Sequence, residues 1–294
     1  MIPIHLPVYS FKGTELLAED SASILVSGVT KAGNVRLENQ DSIRLSDVNS
    51  ISSEKDGYLF GIADGMGGFA NGAIAGRVAL ETFFETFEEA KNIQSKQKMK
   101  VAIQNANLRV YQEARRLSEG NMGTTLTCVH LSGSKIMVGH IGDSRAYLIR
   151  NNTIRCLTDD HTRVAALVRM KLLSPDKVRT HAQRSVLEKS LGTGLFVQPD
   201  IFSVPVFEND VIVLCTDGVW SVVEDPVLLE IVSSGKDTNA IAIDIVDKAL
   251  ELESDDNVSS MVIHVRKLNS NSEEESFPKK RSLSKFFNIF KKAE

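Results

Sequence analysis

Four short apolar runs in the middle of the chain constrain the fold most, because very short turns separate them in pairs. The runs cover residues 125–131, 135–141, 145–150 and 153–157, and the turns are Ser132-Gly133-Ser134 and Asn151-Asn152. Runs of this length between turn residues predict β-strands. Turns this short force the strands of each pair to lie antiparallel, so the centre of the chain is predicted to be an antiparallel meander.

Helical patterns and further strands surround this meander. Residues 72–90 and 98–117 have helical spacing, with a predicted inward face of Ala75, Val78, Ala79, Thr82, Phe83 and Thr86 in the first and Val101, Ala102, Asn105, Leu108 and Ala114 in the second. Strands are predicted at 24–30, 58–63, 201–206, 210–215 and 258–267, and helices at 226–232 and 239–252. Meanders interrupted by helix pairs predict sheets packed together with helices outside, an α+β fold.

Composition and charge are those of a soluble globular protein. The 294 residues suffice for one large domain or two small ones, and 42% are hydrophobic and 24% charged. Net charge is -4, so nucleic acid is not an expected partner. Residues 279–294 carry six Lys or Arg and one Glu, a net charge of +5, which leaves -9 for the remainder.

Cysteine usage and the first residues point to a cytoplasmic protein. Cys128, Cys156 and Cys215 are few and far apart, which favours buried free thiols in a reducing compartment. Residues 1–17 lack the pattern of a signal peptide, and no apolar run approaches the roughly 20 residues that span a bilayer.

Both ends differ from the body of the chain. Residues 1–22 are interpreted as an N-terminal extension, 269–280 as a disordered linker, and 281–294 as a basic amphipathic tail helix with Leu283, Phe286, Phe287 and Phe290 on one face. The tail helix is a candidate for contact with an anionic membrane surface, with a partner, or with the acidic body of its own chain. The membrane alternative would make the protein peripheral at the membrane.

Aspartates recur at the ends of the predicted strands. The run 58–63 stops at Asp64-Gly65 and is followed by glycines, Asp41 lies upstream, and Asp143, Asp217 and Asp256 lie at the edges of later runs. Carboxylates gathered in this way cannot all stay charged without cations. Oxygen ligands without a His or Cys cluster favour Mg²⁺ or Mn²⁺, so the set predicts a polynuclear metal centre.

Eight motifs in this order resemble the PPM family (type 2C) of metal-dependent protein serine/threonine phosphatases, in its compact bacterial form. They are Arg36-x-x-Asn39-Gln40-Asp41, Asp64-Gly65-Met66-Gly67-Gly68, Gly123-Thr124-Thr125, Gly142-Asp143-Ser144-Arg145, Leu157-Thr158-x-Asp160-His161, Leu191-Gly192, Thr216-Asp217-Gly218 and Asp256-Asn257. Each is weak alone, but together they span about residues 25–266.

The resemblance implies a four-layer αββα sandwich of two mostly antiparallel sheets, with a metal cleft at one edge. The phosphatase domain would cover 23–268, with a variable flap at about 158–190. Protein ligands of two core metals would be Asp64 as the bridge, the Gly65 carbonyl, Asp217 and Asp256, and Asp143 would serve a weaker third metal. Gln40 and Asp41 would hold metal-bound waters, and Arg36 would bind phosphate. The competing interpretations are a plain turn at Asp143, a solvated loop at Gln40-Asp41 and a surface arginine at Arg36.

The implied activity is hydrolysis of phosphoserine and phosphothreonine on proteins by a water shared between the metals, in signalling opposite a Ser/Thr kinase. The alternative is a pseudophosphatase scaffold or partner-binding module with the same fold. Met66 stands where many eukaryotic members have a histidine, which leaves the general acid unassigned. Metal-bound water, His161 and His181 are candidates, although ordinary structural roles are favoured for both histidines and for His140.

Overall fold

The structure is a computed structural model that describes residues 9–11, 14–21, 23–49, 56–67, 71–91, 93–117 and 122–268. The linker and tail helix predicted for 269–294 lie outside these residues. Within the described part no helix is both long and apolar enough to cross a membrane.

The strands, in chain order, are β1 (Tyr9–Phe11), β2 (Thr14–Asp20), β3 (Ile24–Lys31), β4 (Asp41–Leu45), β5 (Tyr58–Gly67), β6 (Met122–Thr124), β7 (Leu126–Ser132), β8 (Lys135–Ile141), β9 (Arg145–Arg150), β10 (Thr153–Cys156), β11 (Asp200–Pro205), β12 (Val211–Cys215) and β13 (Val258–Val265). The helices are α1 (Asn71–Glu89), α2 (Ser95–Leu117), α3 (Arg163–Arg169), α4 (Asp217–Trp220), α5 (Asp225–Val232) and α6 (Thr238–Glu251), with a 3₁₀ turn at Pro175–Lys177.

The strands form two antiparallel sheets. The first has the order β1-β2-β3-β13-β12-β9-β10, and the second has the order β11-β8-β7-β5-β4, with β6 paired to the end of β5. The two predicted hairpins are confirmed, but they lie in different sheets: β7 pairs with β8 in the second and β9 with β10 in the first. The chain therefore crosses between sheets at Gly142-Asp143-Ser144.

Three apolar layers hold the sandwich together. Side chains from both sheets meet in the middle, as at Val26, Phe60, Val129, Leu214 and Ile263. The opposite faces of the strands pack against helices: α1 and α2 cover the second sheet, and α4, α5 and α6 cover the first. Burial of alternate faces follows from the period of two along each strand. The α+β sandwich with outer helices is confirmed.

Two expectations about single elements are corrected. β5 does not stop at Asp64 but continues to Gly67, because β6 pairs with Gly65, Met66 and Gly67. The inward face predicted for α2 is partly wrong: Asn105 and Leu108 are exposed, and the buried stripe is Met99, Ala102, Ile103, Ala106, Asn107, Val110, Glu113 and Ala114. Asn107 is buried because its amide bonds Gly194 O and Gly192 N, a long-range partnership that local periodicity cannot reveal.

The segment interpreted as an N-terminal extension includes two strands of the first sheet. β2 pairs with β3 along its whole length, from Thr14 opposite Lys31 to Asp20 opposite Leu25. β1 then pairs with β2 at the edge of the sheet. The fold thus begins before residue 23.

Candidate metal centre

Five chain segments bring the predicted aspartates to one edge of the sandwich. Asp41 begins β4 and lies opposite Asp64 in the β4–β5 register. Asp143 lies where the chain crosses from β8 to β9, Asp217 is the first residue of α4 directly after β12, and Asp256 precedes β13. All but Asp41 line a single cavity of about 770 Å³.

The other predicted site residues are in the same place. Arg36, Gln40, Gly65 and Met66 line the cavity beside the carboxylates. Asp41 lies beneath it, 7% exposed, and its pKa is affected by Asp217 and Asp256. The structure therefore brings together every residue that the resemblance assigned to the metals, their waters or the phosphate.

Close packing against α1 fixes the position of Gly65. Its N–H donates to Gln40 O over 3.1 Å, and a side chain at this position would meet Gly72 O at 1.9 Å. Only glycine lets the N-terminus of α1 approach the strand this closely. Asp64 is held from behind by Thr125, whose hydroxyl accepts from Asp64 N at 2.9 Å and whose N–H donates to Asp64 O at 2.8 Å.

Asp41 is a buried carboxylate with half of its hydrogen-bonding capacity in use. Its Oδ2 accepts from the hydroxyls of Thr216 (2.8 Å) and Ser259 (2.5 Å). Its buried Oδ1 has no partner among the described residues. Burial, assisted by the charges of Asp217 and Asp256, raises the pKa of Asp41 to about 7.

Three aspartates that line the cavity, Asp64, Asp143 and Asp217, also have raised pKa values. Burial raises the pKa of Asp217 to about 6, with Asp256 adding to the shift and a hydrogen bond from Asp64 opposing it. Burial and the neighbouring aspartates raise the pKa values of Asp64 and Asp143 well above their ordinary value. Burial, with repulsion between aspartates as the second cause, thus disfavours the charged carboxylates when no cation is bound.

Asp256 forms an ion pair with an arginine of the same cavity. Arg36 Nη2 lies 2.8 Å from Asp256 Oδ2, and the Arg36 side chain is 54% exposed at the cavity. Asp256 raises the pKa of Arg36 by its charge and its hydrogen bond. The neighbouring Asp255, 68% exposed, pairs instead with Arg184 of the flap at 3.5 Å.

Asn257 has a structural role that the sequence motif did not reveal. Its side-chain nitrogen donates to Ala32 O and Glu38 O, and its Oδ1 accepts from Gln40 N. Three bonds therefore fasten the loop that carries Arg36 to the segment that carries Asp256. The motif Asp256-Asn257 was the available signal, but it identified only the aspartate. The contacts of Thr216 and Ser259 with Asp41 had a weaker signal: Thr216 belongs to the motif Thr216-Asp217-Gly218, and Ser259 lies two residues after Asn257.

The three histidines considered lie away from the cavity lining. His161 is buried, its Nδ1 accepts from Gly142 N, and its Nε2 lies 3.2 Å from Asp200 Oδ2. His181 accepts from Gln183 N inside the flap. His140 is fully buried in β8, bonded to Thr127 Oγ1, and burial lowers its pKa to about 3. The structural interpretations of these residues agree with the geometry.

The donor set fits hard divalent cations. The buried Oδ1 atoms of Asp41 and Asp217 have no hydrogen-bond partner in the described part of the chain. The raised pKa values of these carboxylates show that nearby positive charge would stabilise their ionised forms. Within the described residues, however, no three acidic, His or Cys side chains already form a set that could hold a metal ion. Mg²⁺ and Mn²⁺ accept sites in which water supplies several ligands.

Comparison with known proteins agrees with this geometry. The model of the family described as protein phosphatase 2C matches residues 25–165. The serine/threonine phosphatase stp of Listeria welshimeri is 29% identical over 241 residues, covering 80% of this chain and 93% of the relative.

Solved structures give the same result. The serine/threonine phosphatase PstP/Ppp of Mycobacterium tuberculosis superposes with a TM-score of 0.75 at 26% identity, covering 83% of this chain and 100% of that one. A PstP catalytic domain in complex with two manganese ions has a TM-score of 0.72 at 26% identity, covering 83% and 99%. Motifs, fold and convergent carboxylates together place the chain in the protein phosphatase 2C (PPM) family.

Proposed function

We propose that the chain is a protein serine/threonine phosphatase that hydrolyses phosphoserine and phosphothreonine with divalent cations. The observation that carries the proposal is the set of buried aspartates from separate segments, with raised pKa values, around one cavity that also holds Arg36. Its relatives are named as phosphatases of this type.

The residues that would hold two cations are Asp64, the Gly65 carbonyl, Asp217 and Asp256, and Asp143 would serve a third. Gln40 and Asp41 would orient water from behind. Mn²⁺ or Mg²⁺, when bound, supplies positive charge that activates water and stabilises the phosphoryl oxygens. A neighbour with two manganese ions supports Mn²⁺ in particular.

Arg36 is the residue that we expect to bind the substrate phosphate. Its guanidinium is half exposed at the cavity, and a planar fork of donors suits phosphate oxygens. Met66 lines the same cavity and cannot donate a proton, and the histidines lie elsewhere. We therefore expect water within the cavity to protonate the leaving alcohol.

Phosphate release from phosphothreonine peptides tests the proposal. Activity should appear with added Mn²⁺ or Mg²⁺ and vanish with a chelator, because carboxylates without cations repel a phosphate. Peptide that binds but is not hydrolysed at saturating Mn²⁺ or Mg²⁺ would contradict the proposal and favour the pseudophosphatase scaffold.

The cellular setting is a further part of the proposal. Phosphatases of this specificity oppose Ser/Thr kinases, so we expect a cognate kinase, a role in signalling and a cytoplasmic site of action. The basic residues of 279–294 suggest contact with an anionic surface or partner. Deleting residues 270–294 should leave peptide hydrolysis near normal and abolish cosedimentation with anionic vesicles at low salt. A folded truncation with much lower activity would place the tail in the catalytic body instead.

A further inference from the structure

The loop that carries Arg36 also presents two large apolar side chains to solvent. Val35 is 64% exposed and Leu37 is 101% exposed, and both line the cavity that holds the aspartates. Isolated exposed apolar residues are common on protein surfaces. These two flank Arg36, the phosphate-binding candidate, in the chain and line the same cavity.

This loop is anchored on both sides of its exposed apolar side chains. Asn257 Nδ2 donates to Ala32 O at 2.8 Å and to Glu38 O at 2.9 Å, on both sides of Val35 and Leu37. Gly33 adopts a φ of +83°, and a side chain there would meet Asp256 O at 2.5 Å. These contacts fix both ends of the loop, and the Leu37 side chain between them is fully exposed.

The flap supplies apolar surface to the same cavity. Leu187 lines it, and the adjacent Val186 is 45% exposed. This segment is fixed to the start of α3, since Arg163 N donates to Val186 O at 2.9 Å and Leu187 bridges to Thr162. Apolar side chains thus reach the cavity from the Arg36 loop and from the flap.

We propose that Val35, Leu37 and Leu187 select phosphopeptides with a large apolar residue next to the phosphorylated Ser or Thr. The proposal rests on the proposed function and names its substrate class. Consecutive residues of an extended peptide are about 3.8 Å apart, so a phosphate bound at Arg36 brings the neighbouring peptide side chains onto this surface. Glu38 and Asp255 line the cavity too, which disfavours acidic neighbours.

Paired phosphothreonine peptides test the selection. They differ only at the residues flanking phosphothreonine, which are Leu, Ala or Glu, and kcat/KM is measured with Mn²⁺ and normalised to para-nitrophenyl phosphate. The Leu peptide should exceed the Ala peptide about fivefold to tenfold, because a leucine partly covered on an open rim gains part of the free energy of full burial. The Glu peptide should be the slowest of the three.

Substitutions at Leu37 test whether the surface formed by Val35, Leu37 and Leu187 causes the preference. Leu37→Ser should reduce the preference for Leu over Ala to within about twofold, and Leu37→Met, which keeps apolar volume, should retain it. Leu195→Ser is the matched control, because Leu195 is 52% exposed but does not line the cavity. It should leave the preference as in the parent protein.

The outcomes separate this inference from the proposed function. No hydrolysis of any peptide would overturn both. Equal hydrolysis of the three peptides, or a fastest Glu peptide, would overturn the selection alone. The selection would also be overturned if Leu37→Ser kept the full preference for the Leu peptide. It would be overturned as well if this variant lost activity equally on para-nitrophenyl phosphate and on the Leu peptide, because a side chain that recognises peptide should affect only the peptide.

Discussion

Two regions of the molecule bury carboxylates in opposite ways. At the root of the flap, Arg145 meets Asp160 through two hydrogen bonds of 3.0 and 2.8 Å, and the two side chains are 14% and 6% exposed. The guanidinium also lies 3.7 Å from the ring centroid of Trp220. Charge in this region is balanced within the chain.

The metal centre lacks such a balance. Burial raises the pKa values of Asp41, Asp64, Asp143 and Asp217, and repulsion from other aspartates adds to each shift. Arg36, which lines the same cavity, is paired with Asp256. The two regions adjoin, because Trp220 Nε1 donates to Asp143 O at 2.8 Å. The chain thus pairs the buried Asp160 with an arginine, but it leaves the aspartates of the adjoining centre with raised pKa values. This difference indicates that the centre takes its positive charge from a bound cation.

Removing a carboxylate from the centre should have the largest effect on activity. Asp64→Asn or Asp217→Asn should lower phosphopeptide turnover at saturating Mn²⁺ by roughly 10²–10³-fold, the range seen when charge stabilisation of a transition state is lost. In the absence of cations the same variants should have a higher Tm, because repulsion falls. Steady-state kinetics and thermal unfolding with chelator measure the two effects.

Asp244→Asn provides the control for these variants. Asp244 lies on α6 in a surface pair with Lys236, and such pairs contribute little. Its turnover should stay within about twofold of the parent protein. Wild-type turnover in Asp64→Asn or Asp217→Asn would break the comparison, since the centre would then need no cation.

Breaking the balanced pair should instead cost stability. Arg145→Met leaves Asp160 buried without its partner and should lower the free energy of unfolding by about 3–5 kcal/mol, measured by denaturant titration. The double variant Arg145→Met/Asp160→Leu should recover much of this loss, because no charge remains buried. If Arg145→Met were as stable as the parent protein, the Arg145–Asp160 pair would not balance charge in the way the comparison requires.

Arg36 tests an ion pair that lies within the metal centre itself. Arg36→Ala should raise KM for phosphopeptide about tenfold, since one partly exposed charge-assisted contact with phosphate is lost. Arg36→Lys keeps the charge but not the planar fork of donors, so its KM should lie between those of the parent protein and Arg36→Ala. An unchanged KM in Arg36→Ala would restrict this arginine to its pair with Asp256.

The pH dependence of cation binding should give the smallest and most specific signal. Folding raises the pKa values of Asp41 and Asp217, so their stabilising contribution is present below about pH 4 and is lost as pH rises through about 6–7. His130, His140 and His161 have lowered pKa values and act in the opposite sense, losing their contribution as pH falls below 6.5.

Comparing Tm with Mn²⁺ and with chelator at each pH cancels the histidines. The gain in Tm from Mn²⁺ should be a few degrees larger at pH 8 than at pH 5, because at pH 8 the cations no longer have to displace protons from the aspartates. A difference that is equal at both pH values would mean that these carboxylates are not the ligands.

Sequence reasoning succeeded where the signal was local. Turns such as Ser132-Gly133-Ser134 dictated the hairpins, and recurring aspartates beside strands located the centre. It failed where partners are distant in the chain. The outward position of Leu108 follows from the loop that Asn107 binds, and the continuation of β5 to Gly67 follows from pairing with β6, about sixty residues later.

Asn257 shows the same limit within the site. Nothing near it in the chain indicates that its side chain will bond Ala32 O and Glu38 O. A motif can identify which residues matter, but their contacts depend on which strands become neighbours. For this reason the candidates Arg36 and Asp256 could be named from the sequence, and their direct pairing could not.

The central place of β13 bears on how the protein is made. This strand is the last described one to leave the ribosome, yet it inserts between β3 and β12, and Asp256-Asn257 immediately precede it. Arg36 and its partner Asp256 are 220 positions apart in the chain, so the entropy of closing this loop is overcome only when the whole sheet forms. A nascent or prematurely terminated chain therefore carries most of the aspartates without an assembled site, and catalytic competence arises in one late step of biosynthesis.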